Sequence, residues 1–133
     1  MSCRTPKEAL PATEAHRPPS NLFADTTPPV EHIDIIPGFR VSMTDADYFL
    51  RIYISSYSPL FPFVPVSKSI SAYDLFVTKP FLLRTIMGIV APQTHTIQVQ
   101  TETWFREYIA EHMVVKQEKT LEILQALLLF IAW

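Results

Sequence analysis

Thr101 to Trp133 reads TETWFREYIAEHMVVKQEKTLEILQALLLFIAW, and this closing stretch decides the fold class. It carries two helical patterns joined by a charged hinge. In the first, from about Thr96 to Val115, one face gathers Trp104, Phe105, Tyr108, Ile109, His112 and Met113. Arg106, Glu107, Ala110 and Glu111 take the opposite side, which is the spacing of an amphipathic helix. Lys116-Gln117-Glu118-Lys119 reads as a solvated turn. The second pattern, Thr120 to Trp133, has one stripe of Leu121, Leu124, Leu128 and Ile131 and a second of Ile123, Leu127 and Phe130. Two apolar stripes imply two covered faces. Each large apolar side chain left bare forfeits about 1.5–3 kcal/mol, against a whole-domain stability of about 5–15 kcal/mol. The sequence therefore predicts that the last helix meets partners on two sides. It also predicts that one of the two partners lies outside these residues.

Working back from that stretch, Pro80 suits the first position of a helix over Phe81 to Ala91 (FLLRTIMGIVA), in which Arg84 and Thr85 interrupt an otherwise apolar run. Gly88 inside it marks a close helix contact, and Pro92-Gln93-Thr94 ends it. Ser71-Ala72-Tyr73-Asp74 is a capping box opening a short helix to about Thr78. Thr44-Asp45-Ala46-Asp47 reads as another, opening a helix to Tyr57 with Tyr48, Phe49, Ile52 and Tyr53 at helical spacing. Between these lies SPLFPFVPV, Ser58 to Val66, with a proline every third residue. Its Leu, Phe and Val residues make it an apolar connector packed across the domain rather than a free polyproline ligand.

The first part of the chain is different. Seven of the twelve prolines fall within residues 1–43, where large apolar side chains are few. Such a segment buries too little surface to offset the entropy of ordering. The expected organisation is a disordered Pro-rich arm over 1–43 and an all-α body of about four to five helices over 44–133. Ile33, Ile35 and Ile36 close the arm as a short extended piece before a Pro37-Gly38 turn.

Composition narrows function mostly by exclusion. Net charge is −2, spread evenly, with no Lys/Arg run to neutralise phosphates, so direct DNA or RNA contact is not expected. One cysteine, Cys3, rules out a disulfide framework or a cysteine-based zinc site and fits a reducing compartment. The longest purely apolar run, Ala126 to Trp133, has eight residues, short of a membrane span. Two glycines leave no phosphate-cradling loop. His16 and His32 lie in the arm, His95 at a helix start, and His112 on an apolar face without metal-ligand spacing. Asp45, Asp47, Asp74, Glu107 and Glu111 are read as caps or solvent-facing groups. No catalytic residue, metal ligand, cofactor or DNA-contacting residue is expected. The residues expected to face a partner or the core are Trp104, Phe105, Leu127, Leu128, Phe130 and Ile131.

The Pro-Phe connector, the Lys79-Pro80-Phe81-Leu82-Leu83 helix start and the closing stretch form an ordered series. That series resembles the opening of the regulatory region of fungal zinc-cluster transcription factors, the fungal-specific transcription factor domain. Phe105 to Ile109 and Glu118 to Leu128 carry it best, in an E-K-[ST]-L-E start followed by Q-A-L-L-x-x-x-A-W up to Trp133. The resemblance covers roughly Asp45 to Trp133 and consists of apolar patterns. It implies part of a large all-helical regulatory domain, working in the nucleus through inhibitor, effector or protein contacts. The family's six-cysteine DNA-binding module has no counterpart here, nor have its later helices, so a truncated regulator without its own DNA contacts is implied. Two other readings stand beside it. One is a small helical binding module for an apolar ligand, using Trp104, Phe105, Phe61 and Phe63. The other is a membrane-associated protein whose last helix continues into a span.

Overall fold

The computed structural model describes residues 29–133, so expectations for residues 1–28, His16 and Cys3 among them, lie outside the described residues. The described chain opens with an antiparallel hairpin, β1 (His32–Ile36) and β2 (Phe39–Ser42). Its turn is made at Pro37-Gly38, where Gly38 takes φ +88°, a left-handed conformation that glycine adopts without steric cost. Ile33 pairs with Val41 and Asp34 with Arg40, and the register shifts between Asp34 and Ile36. The shift lets Ile35 and Ile36 both turn inward, so Ile33, Ile35, Ile36 and Val41 are all buried. On the wet face Arg40 Nε donates to Asp34 Oδ1 at 2.7 Å, and this neighbour holds the Asp34 carboxyl below its ordinary range.

This hairpin corrects the all-α expectation: the body is mostly helical but carries a small two-stranded sheet. Structure reaches back at least to His32, within the segment read as a disordered arm to residue 43. The physical reason is pairing. The extended piece at Ile33 to Ile36 and the Pro37-Gly38 turn are as the sequence implies. The return strand Phe39–Ser42 is too short to be recognised alone, and each strand gains its ladder and its buried face only from the other.

Five helices follow among the described residues: α1 (Met43–Ile52), α2 (Ala72–Thr78), α3 (Pro80–Val90), α4 (His95–Ile109) and α5 (Leu121–Ala132). β2 runs into α1 without a loop, so the last strand residue is the cap. Ser42 Oγ accepts from the Asp45 amide at 3.0 Å, two residues before the expected Thr44 box. Asp47 instead accepts from the Ala72 amide at 2.7 Å, tying α1 to the start of α2. At α2 the expected Ser71–Asp74 capping box is present in both directions. Pro80 stands at the start of α3 as the sequence implied.

Helix α3 is the axis of the core. Phe81, Leu82, Leu83, Ile86 and Met87 are at most 2% exposed, and α5 packs chiefly against this helix. Glu122 of α5 reaches its N-terminus, where Oε1 accepts from the Phe81 and Leu82 amides at 2.7 and 3.1 Å. Two amides that a helix leaves without an internal partner are thereby satisfied. Lys79 Nζ adds a bond to Gln125 Oε1 at 3.1 Å. The Ser58–Val66 connector is anchored through Val64, fully buried, while Leu60 and Phe63 remain exposed. It is thus only partly the packed crossing the sequence suggests.

α1 and α4 each widen at their ends into a π-helical turn, Tyr53–Tyr57 and Ala110–Val115. The first sets Tyr53 wholly inside, its hydroxyl donating to the Val64 carbonyl at 3.0 Å. Burial pushes the Tyr53 phenol up from an ordinary value near 10 to about 12. The unfolded chain therefore loses this proton first, and the Tyr53 contribution, complete below about pH 10, declines as pH rises toward 12. Urea denaturation from pH 8 to 11.5 should show stability falling above pH 10, with a shallower fall in Tyr53→Phe. An identical slope in the variant would refute the assignment.

Candidate functional site

At Gly88 α3 and α4 come into close contact. A Cβ placed there would sit 3.0 Å from Thr101 Cγ2, which bears out the close helix contact expected of this glycine. Beside that contact α3, α4 and the end of α5 diverge around a cleft of about 530 Å³. Its apolar wall is mostly aromatic, with Ile89 and Ile131 beside the rings. Phe105 stacks on Phe130 with centroids 4.1 Å apart, and Phe81 connects Phe105 to Trp104 and Tyr108. Tyr57 and Trp133 meet edge-on at 5.0 Å at another part of the lining. Thr85, Gln98 and Thr101 supply hydroxyl and amide groups, and three charged residues, Arg84, Glu102 and Arg106, also contribute.

Those charges are not equally satisfied. Arg106 lies 3.5 Å from Glu102, one helical turn away, with its guanidinium carbon 5.8 Å from the Phe130 ring centre. The Arg84 Nε is buried and has no hydrogen-bond partner. Among the described residues Arg84 is also in none of the ion pairs. Asp34 senses its charge, yet the Asp34 carboxylate is bonded to Arg40.

Of the six residues singled out from sequence, the cleft brings together Trp104, Phe105, Phe130 and Ile131. Phe105 is at the same time a core residue, 3% exposed. Leu127 and Leu128 pack at the edge of the core and do not line the cleft. Phe61 and Phe63 pair with each other at 5.1 Å and are absent from its walls, so the four aromatics of the apolar-ligand reading do not converge. Sequence reasoning missed Arg84 as a site residue. The signal was there, a lone cation inside an apolar helix.

A second surface lies on α5 itself. The helix buries the row Ile123, Ala126 and Leu129 and leaves Leu121, Leu124 and Ile131 at 63%, 48% and 72% exposure. Leu128 completes that outer stripe, half-buried. At the hinge before α5, His112 stacks on Tyr108 at 3.9 Å and its Nδ1 lies 2.7 Å from Glu118 Oε2. The Glu118 amide donates to the His112 carbonyl at 2.8 Å, and Gln117 takes φ 57°. Together they fix the reversal that lays α5 on α3. His32, expected in the arm, is on β1, and His95 opens α4.

Among the described residues no cluster of three or more His, Cys, Asp or Glu side chains is placed to hold a metal ion. No helix there is long and apolar enough to cross a membrane. No family model matches the chain, and no curated protein and no solved structure matches it.

Proposed function

We propose that this chain is a helical protein-interaction module from the regulatory region of a fungal transcription regulator, acting in the nucleus through protein contacts. The observation that carries the docking part is the outer stripe of α5. Leu121, Leu124, Leu128 and Ile131 follow one another at intervals of three, four and three residues, and three of them are about half exposed or more. That interval is the seam spacing by which one helix receives another. The occupant is an amphipathic protein helix with its own aliphatic stripe, supplied by the rest of the regulatory region or by a partner. Assignment to a transcription regulator rests on the Glu118–Trp133 pattern and the ordered series before it. An even charge distribution without a basic run supports action by protein contact rather than by touching DNA.

The test fuses the chain to a heterologous DNA-binding domain and reads a reporter, with Leu124→Glu/Ile131→Glu as the control. Both substitutions fall on exposed positions, where changes usually alter stability by no more than about 0.5 kcal/mol. The wild-type fusion should change reporter output, and the double variant should lose that effect while melting at the wild-type temperature. A double variant as active as wild type would remove the stripe from the mechanism. A wild-type fusion that leaves the reporter unchanged would remove the regulatory reading itself.

A further inference from the structure

We propose that the cleft between α3, α4 and the end of α5 binds a small organic carboxylate with a flat aromatic body, its carboxylate received by Arg84. The inference does not rest on the docking stripe, since Arg84 belongs to α3.

A buried guanidinium nitrogen without a hydrogen-bond partner is a loss that folded proteins rarely tolerate. Arg84 could have been held on an acid of its own chain, but the nearby acids are engaged elsewhere. Glu102 pairs with Arg106 on the α4 surface, and Asp34 pairs with Arg40 across the hairpin. Arg84 lines the cleft without an ion-pair partner among the described residues, so an anion entering there meets an unneutralised guanidinium. The three charged residues of the lining sum to one positive charge. An anion is the complement, and a carboxylate matches the planar donor fork of arginine best.

The rest of the lining specifies the body of the ligand. Phe130 and Trp104 contribute aromatic rings to the lining with Phe105 stacked behind Phe130, and Thr85 and Thr101 lie among the polar remainder. A volume of about 530 Å³ falls inside the range of small-molecule sites, roughly 300–1,000 Å³. A one- or two-ring arene with a short acidic arm fits that combination. A long aliphatic tail would leave the aromatic wall poorly used.

The test uses the full chain with indole-3-acetate and its neutral counterpart indole-3-acetamide, titrated by calorimetry and by amide and indole NMR shifts. The acid should bind saturably, shifting Thr85, Gly88, Thr101 and the Trp104 indole. The amide should bind at least about tenfold more weakly, the factor carried by a hydrogen bond to a charged group. Arg84→Met should bring acid and amide to the same weak affinity, and Arg84→Lys should retain part of the preference. Thermal melts accompany each variant. Should Arg84→Met fail to fold, the acid–amide ratio in wild type and in Arg84→Lys still decides the matter. Equal affinities in wild type, absence of saturable binding, or shifts confined to Leu121 and Leu124 would each overturn the proposal.

Discussion

Leu129→Ala should lower the unfolding free energy by about 2–5 kcal/mol, whereas Leu124→Ala on the same helix should cost no more than about 0.5 kcal/mol. Both replace leucine by alanine within α5, so helix propensity changes equally and cancels in the comparison. What differs is the face. Leu129 is 0% exposed and shares the core cluster with Leu83, Ile86 and Met87 of α3. Removing its side chain loses the transfer energy of the buried carbons and leaves a void that a close-packed interior fills only in part. Leu124 is 48% exposed and much of its surface is already in water. Urea denaturation of the two variants, with equal slopes to certify a common denatured state, reads the difference as a shift in midpoint. Equal midpoints would mean that α5 is not docked by its Ile123–Ala126–Leu129 row, and the outer stripe would lose its status as a free surface.

That comparison also marks where the sequence was and was not legible. Apolar spacing showed that Thr120 to Trp133 is helical and apolar on more than one face, because periodicity is a local property of the chain. It did not identify the row that is buried. Leu129 belonged to neither stripe traced from sequence, yet it is fully enclosed. The choice was made by contacts from α3, some forty residues distant, and by the clamp of His112 on Glu118 that aims α5. The same distinction separates the caps. Ser71–Asp74 is a pattern of neighbours and was read correctly, while Asp47 capping α2 spans 25 positions and left no local trace. Of the hairpin, the extended piece at Ile33 to Ile36 and the Pro37-Gly38 turn were legible, while Phe39–Ser42 was not, because so short a strand is defined by the neighbour it pairs with. Within the cleft, Trp104, Phe105, Phe130 and Ile131 were found by their apolarity. Arg84 was noted only as an interruption, since whether a cation has a partner depends on the tertiary placement of Glu102 and Asp34.

The second large effect concerns a residue whose importance no spacing rule announces. Glu122→Ala should destabilise the fold by about 3 kcal/mol, near the upper end of the roughly 1.5–3 kcal/mol of a hydrogen bond to a charged group. Pro80 at the first position of α3 has no amide hydrogen, so the next two amides are the helix's first free donors. Both Phe81 and Leu82 are buried, at 2% and 1% exposure, and water is poorly placed to replace the lost carboxylate. The negative charge also lies at the positive end of the α3 dipole, adding an interaction that a neutral side chain makes weakly. Glu122→Gln keeps the acceptor oxygen and gives up the charge, so it should lose about half as much. Amide exchange supplies a site-specific reading. In Glu122→Ala the Phe81 and Leu82 amides should exchange faster by more than global destabilisation explains, while Leu83, bonded to the Lys79 carbonyl at 3.1 Å, should follow the global change alone. If all three amides shift together, the carboxylate contributes packing and not a cap, and α5 is held on α3 by its apolar row alone.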